Sequence, residues 1–230
     1  MKRLLYVPVI HTSADLGSIS MAVTKRGIDD LGQEVWDEHQ KTVEGFWQAI
    51  LDYFDTQDVS GVKIYQDGMV AEDEVGEKIV EEGVKQGSKN YELISNLLKR
   101  GAVLVKTEDF QLLKRERDYL VAITQAKSLV QKLSAFIKYK FVKKSLLKKR
   151  DKFIVKRMDA TLKHSEKAIL FIGASHNVKE KLPNSFQVTE IKDIQKVREY
   201  QSLLPFYHRY KDRVEELAAY LIYPIRLCEK

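Results

Sequence analysis

Five consecutive apolar residues at 168–172, AILFI, carry no polar alternation. That is the pattern of a strand covered on both faces, and such strands occur almost only in parallel sheets flanked by helices. The stretch before it has helical spacing. Leu147, Ile154, Val155, Met158 and Leu162 fall at i−4, i+3, i+4, i+7 and i+11 from Asp151, so a carboxylate sits on the apolar face of a helix. A charge in that position requires a partner. The strand runs out into Gly173, Ala174, Ser175 and His176. In open α/β sheets ligands collect beyond the carboxyl ends of the strands, so His176 stands where chemistry is expected.

The rest of the chain repeats the alternation. Residues 4–10 are apolar and β-branched enough for a first strand that stops at His11, Thr12 and Ser13. The opening MKRLLYVPVIHTS has the basic start of a signal peptide. Its apolar core is short, contains Pro8 and lacks an A-x-A-like site, so it reads as a strand. Residues 18–23 suggest a short helix. Residues 42–54 carry Val43, Phe46, Trp47, Ile50, Leu51 and Phe54 at amphipathic helical spacing. A second strand at 62–65 leads to Gln66, Asp67 and Gly68. Helices at 72–85 and 90–99 follow, the second with Gly101 placed as its C-terminal cap. A third strand at 102–106 ends in Thr107, Glu108 and Asp109, and Thr107 is placed to cap the next helix. From 110 to 162 there is neither proline nor glycine, which predicts two or three helices or one long antiparallel pair. A weaker fifth strand at 186–191 and two helices over 193–223, separated by Pro205, complete the chain. The prediction is one α/β domain spanning 1–230, with a mostly parallel central sheet, helices on both faces and a helical insertion at about 110–149.

His11, Asp67, Glu108 with Asp109, and His176 each follow directly on one of the first four strands. Parallel strands would bring all of them to one rim. Two imidazoles and two or three carboxylates form a mixed N/O ligand set suited to zinc, manganese or iron. A bound ion would make hydroxide available for attack on an ester or amide bond of a small-molecule or peptide substrate. The same groups can also act as acid and base without a metal. Asp151, steadied by Arg150 or Arg157, would orient one histidine from behind. The bland alternative is that each residue merely caps a turn.

Charge narrows the partners. The net charge of +6 and pI near 9.1 do not mark a nucleic-acid binder, which makes nucleic acid the least favoured partner. Twelve Lys and Arg between Lys127 and Arg157, against the single acid Asp151, are interleaved with Phe136, Ile137, Tyr139 and Phe141. Such a helix suits an anionic membrane or a partner protein, or is a solvated face whose lysine stems cover apolar neighbours. Lys140 and Lys144 interrupt its apolar stripe, which predicts a bend or a surface-lying segment. The lone Cys228 forms no internal disulfide and belongs to no zinc-binding cluster. It points to a reducing, cytoplasmic setting, peripheral to a membrane if the basic helix binds one. No run approaches the roughly 18 apolar residues of a membrane span. Phosphate-binding glycine loops are absent, and Ser175 lacks the Gly-x-Ser-x-Gly context of a serine nucleophile. His39, His164 and His208 read as solvent-facing, and Trp36 and Trp47 as packing anchors.

The pairing of KRDKFIVKRMDATL with AILFIGASHNV resembles the C-terminal half of the TraB/Tiki superfamily, whose wider relatives include erythromycin-esterase-like and ChaN-like haem-uptake proteins. Arg150 and Asp151 match its Arg-Asp helix, Gly173 and His176 its Gly-x-x-His, and YVPVIHTSADLGS its opening strand with His11. Two positions depart from the pattern: Pro8 replaces a glycine, and only Tyr65, Gln66 and Asp67 stand where acidic residues usually follow the second strand. The resemblance implies a metal-dependent hydrolase that uses His11 and His176; the strand-end reading adds Asp67 and Glu108 as carboxylate ligands, zinc or manganese as the ion, and Asp151 with Arg150 behind them. Its haem-binding relatives leave a non-enzymatic binding protein as the alternative.

Overall fold

A computed structural model of the chain describes residues 1–12, 14, 15 and 20–226. Ser13, the start of the helix expected at 18–23, and Cys228 lie outside these residues. Five strands form one all-parallel sheet in the order β3-β2-β4-β1-β5. They are β1 (Lys2–Val9), β2 (Lys63–Gln66), β3 (Val103–Val105), β4 (Lys167–Gly173) and β5 (Phe186–Glu190). The apolar run that reads as a doubly covered strand is the centre of the sheet, between β2 and β1.

The helices divide between the faces as connection handedness requires. From β1 the chain moves to β2 and then β3, in one direction across the sheet. It returns in the opposite direction to β4 and β5. With one hand for every crossover, opposite directions cover opposite faces. On the first face lie α1 (Ser20–Leu31), α2 (Gln33–Asp55), α3 (Asp73–Lys85) and α4 (Lys89–Lys99). There Phe46, Trp47, Ile50 and Phe54 of α2 pack with Leu93 and Leu97 of α4 against Val7, Ile64 and Phe171. The second face is covered by the last turns of α6 (Leu129–Thr161), where Ile154 and Met158 meet Tyr6, Tyr65, Leu170 and Ile172. The C-terminal helices α7 (Ile194–Leu203) and α8 (Lys211–Ile222), joined by a 3-10 turn that contains Pro205, add Val197, Tyr200, Val214, Leu217 and Leu221 to the first-face core, with α8 against α2.

Several boundaries differ from expectation. α2 begins at Gln33 rather than 42; its first half is mostly polar, with Val35, Trp36 and His39 half-buried on one side. α1 runs on to Leu31, past the end at 23 expected for the short helix. Asp109, not Thr107, caps α5 (Phe110–Thr124), accepting from the Leu112 N–H at 2.9 Å. Thr107 instead accepts from the Gln66 N–H and donates to the Val105 carbonyl, tying the ends of β2 and β3 together. The insertion is an antiparallel pair, α5 and α6, and α6 runs unbroken from its tip into the sheet-covering turns. The helix is not interrupted at Lys140 or Lys144, and both side chains are exposed at the surface.

Candidate functional site

β4 and β2 are neighbours, and the Asp67 N–H continues their pairing by donating to the Phe171 carbonyl at 2.9 Å. That bond sets the Asp67 side chain beside the end of β4. Its Oδ2 accepts from the Gly173 N–H at 3.0 Å and lies 3.5 Å from His176 Nε2. The turn from Gly173 to His176 is closed by the His176 N–H on the Gly173 carbonyl. Gly173 is required here for space: a Cβ would lie 3.1 Å from Asp67 Oδ2 and 3.6 Å from His11 Nε2.

The buried carboxylate on the apolar face of α6 has found its partner. Asp151 Oδ1 lies 2.7 Å from His176 Nδ1. Its Oδ2 accepts from the Asn177 N–H and from Lys181 Nζ. Burial works to raise the Asp151 pKa, but these hydrogen bonds from His176, Lys181 and Asn177 outweigh it, so the group stays ionised. His176 is 2% exposed, and burial alone would lower its pKa. The bond to Asp151 and the charge of Asp67 reverse that, and the imidazole is raised above its ordinary value.

Arg150 does not steady Asp151. Consecutive residues of a helix project about 100° apart, so the two side chains diverge. The Arg150 guanidinium lies among three carboxylates, at 2.6 Å from Asp67 Oδ1, Glu108 Oε1 and Glu116 Oε2. Arg157 likewise turns away, to the Lys106 carbonyl and Glu72. Burial would raise the Asp67 pKa, but His176, Arg150, His11 and the Gly173 N–H pull it down to about 2. Glu108 moves the other way. Its desolvation outweighs Arg150 and raises its pKa, since Oε2 is buried with no hydrogen-bond partner.

Among the described residues, one group brings three metal-type donors within 4.8 Å of one another: Asp67, Glu108 and His176. This cluster could hold a metal ion, and its chemistry fits one. Three carboxylates around one guanidinium leave a negative centre, Glu108 Oε2 lacks a partner, and Asp151 backs His176 as carboxylates back ligating histidines. His11, expected as a ligand, is not in the group. It lies two residues beyond β1 with a half-exposed ring, its Nδ1 4.0 Å from Asp15 Oδ2 and its Nε2 over Gly173 on the same side as Asp67 Oδ2 and the His176 ring. It does line the same cleft as Asp67, Arg150 and His176, a space of about 780 Å³ roofed by Leu113 and Leu147 of the helical pair. Trp47 helps set this rim by donating from Nε1 to the Ile10 carbonyl.

Sequence reading missed Glu116 and Lys181. Glu116 is one of only two acids between 110 and 149, a signal that was present. Lys181 reaches Asp151 only through the turn after His176. Asp109 is a helix cap and takes no part in the rim. Ser175 is exposed on the cleft wall. His39 is not solvent-facing: it lies between Trp36 and Tyr200, with Nδ1 2.9 Å from the Tyr200 hydroxyl, and burial lowers its pKa to about 4. No protein-family model matches this chain, and no curated protein or solved structure does so either.

Proposed function

We propose that the rim cleft is the active site of a metal-dependent hydrolase acting on an ester or amide bond of a small-molecule or peptide substrate. The observation that carries this reading is the convergence of one donor atom each from Asp67, Glu108 and His176 within 4.8 Å of one another, with Asp151 beside the histidine's Nδ1. Manganese or zinc suits an N/O set of this kind, and when bound would supply a water whose pKa falls to about 7.

The chain's own residues do the positioning. Asp151 accepts the Nδ1 proton of His176 and so turns the Nε2 lone pair toward the cleft. Arg150 holds one oxygen each of Asp67 and Glu108, which leaves the second oxygen of each free of the guanidinium. His11, more open to solvent, is placed to give a proton to a leaving group. The TraB/Tiki resemblance belongs to this proposal: its motif positions Arg150, Asp151, Gly173 and His176 are residues that meet at the rim. A reducing, cytoplasmic setting is part of the same reading. No helix among the described residues is long and apolar enough to cross a membrane.

The test is calorimetric titration of the full chain with manganese and with zinc, beside melting curves and hydrolysis of chromogenic esters and amides. One ion per chain, a higher melting temperature and metal-dependent turnover are expected, all lost in His176→Asn. Unchanged melting with either ion, or turnover that survives H176N, overturns the proposal.

A further inference from the structure

The positive charge of this chain is confined to one projection. Between 110 and 149 there are eleven Lys and Arg and two acids, whereas the rest of the chain carries 28 basic and 31 acidic residues and is net negative. One of those two acids, Glu116, is already bound to Arg150. No carboxylate of the described residues comes within ion-pair distance of Lys127, Lys132, Lys138, Lys140, Lys143 or Lys144. α5 buries none of its residues, and α6 buries none before Leu146. At 1.5 Å per residue, the free part of α6 extends about 25 Å from the domain.

α6 carries two apolar stripes in this region, and α5 uses only one. Ala135, Tyr139, Val142 and Leu146, at i, i+4, i+7 and i+11, are partly or fully buried. Tyr139 lies against the Tyr119 ring of α5 and donates to Glu116 at 3.0 Å. The other stripe is Leu129, Val130, Leu133, Phe136, Ile137 and Phe141, which share an arc of about 140°. It has no partner: Leu129 is 85%, Phe141 82% and Val130 78% exposed. Lys140 and Lys144 prolong the same arc toward the domain. The stripe thus changes from apolar at the tip to basic nearer the body.

We propose that the α5–α6 hairpin docks this protein on an anionic membrane surface. Leu129, Val130 and Leu133 enter the acyl boundary, and Lys127, Lys132, Lys140 and Lys144 meet the headgroups. A bilayer of this kind matches both halves of the pattern, with apolar contact at the tip and negative charge above it. Nucleic-acid phosphates would engage the lysines but leave the aliphatic tip without a role. A second copy of the chain would set two strongly positive hairpins against each other. The proposal is independent of any chemistry at the rim, and hydrolysis of a soluble substrate would be unaffected by its failure.

The experiment is co-sedimentation of the full chain with phosphatidylcholine vesicles, with and without about 30% phosphatidylserine. Binding at least about 10-fold stronger to the anionic vesicles is expected, falling at least about 10-fold between about 0.1 and 0.5 M salt. The triple variant Leu129→Ser, Val130→Ser, Leu133→Ser and the double variant Lys140→Glu, Lys144→Glu should each lower binding by at least about 10-fold. Their melting temperatures should not change, because these side chains are exposed. Equal binding to neutral and anionic vesicles overturns the proposal. So does binding to RNA without binding to vesicles, or self-association that the triple variant abolishes.

Discussion

Replacing Arg150 by Met tests whether the rim is organised around its guanidinium. The substitution keeps the buried hydrocarbon stem and removes four hydrogen bonds, to Asp67, Glu108 and Glu116. Asp67 gives the scale of the loss. Its pKa is pulled down from the ordinary 3.8 to about 2 by His176 and Arg150 together, and at about 1.4 kcal/mol per unit that is worth about 2 kcal/mol at neutral pH, part of it from Arg150. Leaving Asp67 and Glu108 buried and unpaired brings the total to about 3–5 kcal/mol. The pH dependence has a definite sign. A depressed carboxylate pKa contributes stability that is complete above about 4 and lost as the pH falls toward 2. In the variant the same groups titrate at higher pH, so the gap between the two proteins should narrow as pH drops from 7 to 4. Urea unfolding at several pH values measures it, and adding Glu108→Gln to the variant should restore about 1–2 kcal/mol by removing one stranded charge. A loss below about 1 kcal/mol at pH 7, or a gap that does not change with pH, would refute the idea that this one cation organises the rim.

Three further outcomes follow from the geometry. Asp151→Asn should weaken manganese or zinc binding about 10- to 100-fold in calorimetry while the three donors remain in place. Gly173→Ala should leave stability within about 1 kcal/mol, because the residue's backbone is of an ordinary kind, yet reduce metal binding by pushing Asp67 Oδ2 aside; equal affinity in the two proteins would contradict the crowding at 3.1 Å. His39, lowered to about 4 by burial, makes the fold lose up to about 3 kcal/mol as pH falls from 6.5 toward 4, since the unfolded chain takes up the proton first. His39→Phe should flatten that part of the stability curve, and an unchanged curve would place the proton uptake elsewhere.

The sequence by itself determined the architecture and the rim. An unbroken apolar run at 168–172, helical spacing between short strands, and polar residues directly after four of them specify a parallel sheet with chemistry at its carboxyl ends. Asp151 announced itself as a carboxylate in need of a partner, since a charge on an apolar helix face is unstable alone. What only the tertiary structure decided is who meets whom. The order β3-β2-β4-β1-β5 sets β2 beside β4, which brings Asp67 to His176 although 109 positions separate them in sequence. Arg150 and Asp151, adjacent in the chain, point to different neighbours because a helix turns about 100° per residue. Glu108 is joined to the cluster through Arg150, and His11 comes in from the neighbouring strand to the space over Gly173 beside Asp67 and His176. Periodicity reports which face a side chain occupies. Pairing depends on distances across elements, and those exist only once the helices have packed on the sheet.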